Sequence, residues 1–349
     1  MKIAQIAPPW LPIPPVGYGG IELVMYDLTE GLVRNGHEVL LFGTGDSSTS
    51  ARLIPLVDRH IGQDWLPTVA PGIVHATSRY AYVRAFLEQV DIIHDHTDFQ
   101  ELELPVPKSV YTIHGPAVSS AVARAKAIMA GGRGGLVAIS HRQRELFEAQ
   151  GVQFAGTVHN GIDAAAMPFG AAELKEPYLL FIGRANWEKG LDLAVRVAGR
   201  AGMPLVMAVK MTERHEQEYF HEHVDPWLAK GANVTLLGEI TPQEKFDLYC
   251  RAQGTLFSSQ WEEPFGLVMT ESMACGTPVI ALRRGAAPEV IRDGITGFLC
   301  DDEDGLVAAV PKLQSIDPHA CRKHMLEHFS VEEMARQYAA VYERVLRNQ

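Results

Sequence analysis

The feature that most restricts this chain is a regular alternation of uniformly apolar short runs with stretches of helical periodicity. The runs KIAQIA, HEVLLFG, VDIIH, SVYTIH and GLVAIS are apolar along most of their length, and the clearest helical stretch between them runs from Ile21 to Asn35. A strand with apolar residues on both faces has no face to offer water. It must lie in a sheet covered on both sides, the geometry of parallel strands joined by crossover helices. The first half therefore reads as doubly wound α/β. The pattern restarts at YLLFIGR and continues through PLVMAVK, NVTLLGE, GTLFSS, TPVIALR and TGFLC, which builds a second Rossmann-like unit of the same class.

A chain of 349 residues exceeds what one core usually holds, and two domains of about 170 residues each are expected. Between the two patterns lies NGIDAAAMPFGAAELKEP, rich in small residues and proline. Its weak periodicity predicts a linker and hinge near Ala164 to Pro177. The last segment opens with Ser330-x-x-Glu333, a capping box, and repeats apolar residues at Met334, Tyr338, Val341 and Val345, as a terminal amphipathic helix does.

The formal charge of −11 argues against general nucleic-acid binding, which needs a surplus of cations facing phosphates. A small anionic ligand needs only a local positive pocket. Cys250, Cys275, Cys300 and Cys321 form no C-x-x-C pair and read as reduced, buried thiols. The start MKIAQIAPPW reads as a strand and prolines, without the apolar core of a signal peptide, and no run approaches about 20 apolar residues. A cytoplasmic location is expected.

Three loops at strand-to-helix junctions could carry chemistry, since ligands of doubly wound folds sit outside the carboxyl ends of the strands. In GRANWEKG, Gly183, Arg184 and Lys189 fall at such an edge. Unpaired N–H groups and the positive end of a helix dipole make the spot an anion trap, strengthened by two cations. Two solvated cations on a surface helix are the other reading.

In SSQWEEPFGLVMTESMACGTPVIA, Glu263 precedes Pro264-Phe265-Gly266, and Glu271 follows after seven intervening residues. A helix beginning near Gly266 puts Glu263 before its N-terminus and Glu271 one to two turns inside. Both carboxylates could accept from hydroxyls while the free N–H groups between them face phosphate; that pattern matches a nucleotide sugar. A dipole partner and a solvated helix residue remain the alternative for the pair. The third loop, PPVGYGG, sets Gly17, Gly19 and Gly20 before a helix, as a phosphate cradle or an ordinary turn would. Its order is not the dinucleotide G-x-G-x-x-G. An oxidoreductase reading lacks its signature for that reason.

Taken in order, GGIE, VHNGID, GRANWEKG, EPFGLVMTESMACGTPVIA, GAAPEVI and DGITGFL resemble the family-4 retaining glycosyltransferases of GT-B fold. The resemblance is strongest from Val158 to Leu299, with Glu271-Ser272 in place of the usual Glu-Ala. It implies two Rossmann-like doubly wound parallel-sheet domains facing a cleft, with the C-terminal helix returning to the first. The acceptor-binding domain would be 1–165 plus about 331–349, and the nucleotide-sugar domain 166–330. It further implies that Arg184 and Lys189 clamp the donor diphosphate and that Glu263 holds hydroxyls of the transferred sugar. Glu271 would take the ribose hydroxyls, with the backbone of Phe265, Gly266 and Leu267 near sugar and phosphates. The Gly19-Gly20 loop would close on the diphosphate from the other domain, by a hinge motion that excludes water. His114, in YTIHGP, looks like the family residue beside the 6-hydroxyl and the reacting carbon; a structural histidine at a strand end is its other reading.

The activity so implied is retaining transfer of a hexose, glucose-type, from a UDP-sugar to a hydroxyl acceptor that the sequence does not identify. No cofactor or metal is expected, because Arg184, Lys189 and helix N-termini supply the charge that stabilises the leaving diphosphate. A nucleotide-sugar-binding protein without turnover, or a sugar-phosphate-type synthase of the same fold, are the alternatives. Acceptor choice falls to the loops from Trp10 to Tyr18, Trp65 to Tyr82 and Gly115 to Met129.

Other polar clusters read as structural. His94, Asp95, His96 and Asp98 share a strand end, but residues two apart merely share a face, and no further ligand cluster is visible. His221 and His223 fall on different faces of a solvated helix, and Asp301 to Asp304 form a polar turn. The segment from Ser119 to Arg144 carries five cations and no acid; membrane contact, an exposed face and an anionic acceptor are all compatible with Arg124 and Lys126. Oligomeric state is not legible.

Overall fold

The computed structural model of the chain describes residues 1–17, 19–62, 85–97, 108–131 and 134–347. Tyr18, Asp98 and the Trp65–Tyr82 loop lie outside the described residues. The chain divides into two compact units, residues 1–161 with 331–349 and residues 162–330.

The first unit is built on β1 (Lys2–Ile6), β2 (Glu38–Thr44), β3 (Arg52–Val57), β4 (Ile92–Asp95), β5 (Ser109–Ile113), β6 (Gly134–Ala138) and β7 (Gly156–Thr157). They lie in the order β3-β2-β1-β4-β5-β6-β7, all parallel. The direction of winding reverses between β1 and β4, so the ligand crevice of this sheet belongs outside Ile6 and Asp95. The strands are buried nearly throughout, as their uniform apolarity requires. The edge strand β3, RLIPLV, was not among the expected strands. Its Pro55 donates nothing to a ladder, and of its residues only Ile54 is buried.

Helix Gly20–Arg34 buries Val24, Met25, Leu28 and Leu32 on one face. The terminal helix, Val331–Arg347, buries Met334, Tyr338, Val341 and Val345 and belongs to this first unit. Glycine is what admits it. A Cβ on Gly31 would come within 2.6 Å of Val331 Cγ1, and one on Gly156 within 2.9 Å of Val341 Cγ2.

The second unit carries β8 (Glu176–Arg184), β9 (Leu205–Lys210), β10 (Val234–Leu237), β11 (Ala252–Phe257), β12 (Val279–Leu282) and β13 (Gly297–Cys300). Their order is β10-β9-β8-β11-β12-β13, again all parallel. Here winding reverses between β8 and β11. Leu179, Phe181, Met207, Leu256 and Ile280 on the strands pack with Leu191, Val195 and Ala198 of helix Leu191–Ala201.

The linker reading of Ala164 to Pro177 is corrected by the structure. The first unit ends at Gly161, four residues before the expected boundary, and residues 164–177 are packed into the second unit. Arg322 of helix Pro318–His328 donates to the carbonyls of Ala164, Met167 and Pro168. A Cβ on Gly170 would sit 2.1 Å from the Cys250 carbonyl oxygen. The small residues of this stretch serve close packing, and Glu176 and Pro177 already belong to β8.

Candidate active site

At the reversal point of the second sheet, the loop after β8 and the loop after β11 are stitched together. Ser258 Oγ donates to the carbonyls of Lys189 (3.2 Å) and Gly190 (2.8 Å), Ser259 Oγ to that of Glu188 (3.1 Å), and Gln260 N to Glu188 O at 2.8 Å. Gly190 sits at φ +67°, and a Cβ there would lie 2.0 Å from Ser258 O, so no other residue permits this approach. The outcome is that Lys189 Nζ meets Glu263 Oε2 at 2.5 Å. Trp261 Nε1 donates to the same oxygen at 2.7 Å, and Ser259 Oγ stands 3.4 Å away. The loop after β12 fixes the glutamate's backbone, with Ala286 N on Glu263 O at 3.0 Å. Glu263 is buried.

Gly266, at φ +90°, caps the helix Leu267–Ala274, which has no side-chain cap. Its first N–H groups and its positive dipole end therefore look onto the same loop. The Phe265 ring turns inward onto Phe329, leaving backbone at this place, and Leu267 is partly buried. Glu271 lies inside the helix and is 4% exposed. It accepts from Lys245 Nζ at 2.6 Å and from the Tyr249 hydroxyl at 3.2 Å. A solvated Glu271, one of the two readings from sequence, is thereby excluded. Lys245 and Tyr249, one turn apart on helix Pro242–Arg251, were not found by sequence reasoning. The signal for them is the placement of that helix directly before β11, the strand beside β8.

Arg184 ends β8. Its Nε donates to Glu216 Oε1 at 2.7 Å and its second guanidinium nitrogen to Glu213 at 3.2 Å. Burial would raise the Glu216 carboxyl, but Arg184 and the Glu213 amide hold it below its ordinary value. Gly183 lies against the lysine stem, where a Cβ would be in ordinary contact with Lys189 Cγ at 3.7 Å. The structure thus joins Lys189 to Glu263, gives Glu271 a lysine of its own, and orients Arg184 on two other glutamates.

In the first unit, Gly19 at φ +156° precedes helix Gly20–Arg34, and a Cβ on it would meet Leu11 and Pro15 at 2.8 Å. Close packing of its own loop requires that glycine. Glu22, in the first turn, is buried and pushed up to about 7 by that burial; sequence reasoning passed over it. His114 follows β5, with Nε2 3.0 Å from His96 Nδ1. Burial pulls its ring down to about 4 and pulls His94 and His96 well below the ordinary range. Both ring nitrogens of His94 and of His96 are engaged with protein groups, which agrees with a structural reading of that cluster. Asp95 Oδ1 accepts from the Thr97 amide and hydroxyl, each at 2.7 Å.

The remaining clusters are ion-paired. His221 is exposed and lies 2.6 Å from Asp225. Asp302 caps helix Glu303–Ala309 through the Gly305 amide, while Arg196 and Arg200 take Glu303 and Asp304, and Arg283 takes Asp301. All four cysteines are free and buried. Arg124 is partly buried and Lys126 exposed on helix Ser119–Ala130. Among the described residues no helix is long and apolar enough to cross a membrane.

The sequence model of the family described as Glycosyltransferase Family 4 matches residues 18–166, and that described as Glycosyl transferases group 1 matches residues 165–324. The chain is 25% identical over 393 aligned positions to a glycogen synthase of Mycobacterium tuberculosis, covering 94% of this chain and 92% of the relative. A sucrose-phosphate synthase structure from Thermosynechococcus elongatus superposes with a TM-score of 0.77 at 22% identity over the whole of both chains. The Anabaena HepE structure in complex with UDP-glucose superposes with a TM-score of 0.71 at 17% identity, over 98% of this chain and 99% of the other.

Proposed function

The chain belongs to glycosyltransferase family 4, of GT-B fold, and from that membership we propose that it transfers a hexose, glucose-type, from a UDP-sugar to a hydroxyl acceptor with retention of configuration. The observation that carries the reading is the contact of Lys189 with Glu263 at the reversal point of the second sheet. A cation, a buried carboxylate and an uncapped helix N-terminus meet there. A diphosphate is met by the cation and the N–H groups, and a sugar hydroxyl by the carboxylate.

Breaking the glycosyl–phosphate bond puts positive charge on the sugar and further negative charge on the diphosphate. Stabilising the latter is the largest contribution available to the protein. Lys189 exchanges part of its bond to Glu263 for phosphate, and Arg184, steadied by Glu216, presents further N–H donors of its five. Glu263, freed in part from Lys189 and still held by Trp261, takes sugar hydroxyls. Glu271 takes the ribose hydroxyls. Gly19, Gly20, Gly183, Phe265, Gly266 and Leu267 contribute backbone, and His114 stands beside the sugar. With no side chain assigned as nucleophile, attack from the leaving-group face, with the departing phosphate oxygen taking the acceptor's proton, accounts for retention.

Support for uridine and glucose comes from the similar structure named with UDP-glucose. The cations present make a metal unnecessary to the scheme, and the cytoplasm, where nucleotide sugars are made, is the proposed location. The test is to supply UDP-glucose and a panel of hydroxyl acceptors, with and without EDTA, and to follow the anomeric protons by NMR. An α-linked product formed equally in EDTA supports the reading. A β-linked product, or uridine diphosphate released only with added metal, overturns it.

A further inference from the structure

Trp261 and Glu263 stand two residues apart in the loop after β11, and a three-residue turn folds them side by side, with Glu263 N on Trp261 O at 3.0 Å. The loop after β12 clamps that turn. Arg284 donates to the Gln260 carbonyl at 2.9 Å, Gly285 N to Glu262 Oε2 at 3.2 Å and Ala286 N to Glu263 O at 3.0 Å. Gly285 sits at φ +53°, and a Cβ on it would lie 2.5 Å from the Glu263 amide nitrogen and from its carbonyl oxygen, so the clamp needs a glycine there.

The two carboxylate oxygens of Glu263 are not equivalent. Lys189 Nζ at 2.5 Å, Trp261 Nε1 at 2.7 Å and Ser259 Oγ at 3.4 Å all converge on Oε2. Among the described residues none donates to Oε1. Unlike Thr157 Oγ1 and Asn160 Oδ1, which also lack partners but are enclosed, Oε1 belongs to a side chain that is 11% exposed and is itself not sealed in. One oxygen is anchored and the other is open, the arrangement that offers a substrate hydroxyl a fixed acceptor with free lone pairs.

Of the three groups on Oε2, one is suited to stay there during the reaction. Ser259 has a single hydroxyl proton, and its contact with the Glu188 carbonyl, at 3.1 Å, is the shorter of its two. Lys189 is a cation for which a diphosphate competes. The Trp261 indole has one N–H, no charge and no acceptor. Its ring also faces the Lys189 ammonium, 5.6 Å from the centroid, which keeps the lysine close whichever anion it serves.

Resting on the reading of Glu263 as the residue that takes the sugar hydroxyls, we propose that Trp261 is a positioning residue: its N–H anchors Oε2 throughout turnover, so that Glu263 meets the sugar with Oε1 alone when Lys189 turns to phosphate.

The experiment compares the binding of UDP and of UDP-glucose, by titration calorimetry, in the full chain, in Trp261→Phe and in Glu263→Ala. Trp261→Phe keeps an aromatic ring and deletes the N–H. Its dissociation constant for UDP-glucose should rise about 10-fold, the cost of one hydrogen bond to a charged group, while that for UDP stays unchanged. Equal losses for the two ligands mark a merely structural role and overturn the proposal. A native chain that binds UDP-glucose no better than Glu263→Ala removes the reading of Glu263 itself; a loss in Glu263→Ala with none in Trp261→Phe removes the anchor alone. A second measurement leaves the site intact: the Trp261 indole N–H in nitrogen-15 NMR of the chain, assigned by replacing each other tryptophan with phenylalanine. Added UDP-glucose should move it downfield, because Oε2 relieved of Lys189 accepts more strongly from the indole. A resonance unmoved, or moved upfield toward that of free indole, overturns the proposal.

Discussion

Lys189 Nζ and Glu263 Oε2 are 2.5 Å apart although 74 positions separate them in the sequence. They meet because β8 and β11 are neighbours in the sheet and their following loops share four hydrogen bonds to carbonyls of the 188–190 turn. This pair joins the phosphate side of the proposed site to its sugar side, so a ligand that takes one partner changes the other.

Replacing Lys189 with alanine is expected to lower kcat by about 10²- to 10³-fold, the loss seen when a single donor to a developing oxyanion is removed. Trp261 still holds Glu263, so the fold should survive. Single-turnover transfer at saturating donor, with circular dichroism as the control, checks it; an unchanged rate would detach Lys189 from the leaving group.

Glu271→Gln should act on nucleotide binding and spare the chemical step. A charged hydrogen bond to a ribose hydroxyl is lost and Lys245 is left without its carboxylate, so the dissociation constant for UDP should rise about 10- to 100-fold. Titration calorimetry reads it directly. Full affinity in the variant would place the ribose elsewhere.

Removing the Arg322 guanidinium strips donors from the carbonyls of Ala164, Met167, Pro168 and Ala274. Arg322→Ala should lower the stability of the second unit by about 2 to 4 kcal/mol, seen as an earlier urea transition. UDP affinity of the still-folded protein at low temperature should match that of the native chain.

Acid should weaken the first unit through its buried histidines, against an opposing contribution from Glu22, whose carboxyl is pushed up to about 7 by burial and so takes up its proton in the folded state first. His94, His96 and His114 are held below the unfolded histidine value by burial, His114 at about 4. The unfolded chain therefore binds more protons once pH falls below about 6.5. The histidines' contribution to stability is fully present above that pH and is lost as pH falls toward 4, with His114 alone contributing about 2 kcal/mol of the loss by pH 5. Urea midpoints at pH 7.5 and pH 5 in Glu22→Gln, which removes the opposing carboxyl, measure it, and equal midpoints in that variant would contradict neutral, buried rings.

The sheets were legible because a strand buried on both faces must be apolar throughout, and every such run is a strand. What sequence reasoning missed, β3 and the tiny β7, lies at the edges of a sheet, where apolarity is optional and Pro55 is tolerated. The residues 164–177 misled because composition does not distinguish a flexible tether from a tightly packed strap; Gly170 is small for want of space against Cys250. Glu263, Glu271, Arg184 and Lys189 could be named from motif spacing. Their partners could not, because Glu216, Lys245, Tyr249 and Trp261 are ordinary residues of amphipathic helices and loops until the strand order places them. His94 and His96 were weighed as metal ligands and set aside, but joining them to His114 required the pairing of β4 with β5.

The first unit takes residues from both sides of the second: 1–161 come before it and 331–349 after it. During synthesis, then, the region that leaves the ribosome earliest waits longest for completion, since Tyr338, Tyr342 and Val345 must emerge before its sheet is covered and its histidines are enclosed. The second unit, being continuous, can mature while its neighbour still exposes an apolar seam between Gly31 and Gly156. Ribosome-stalled chains ending before residue 331 should accordingly recruit chaperones to the amino-terminal half, and that demand should vanish once about twenty further residues are released.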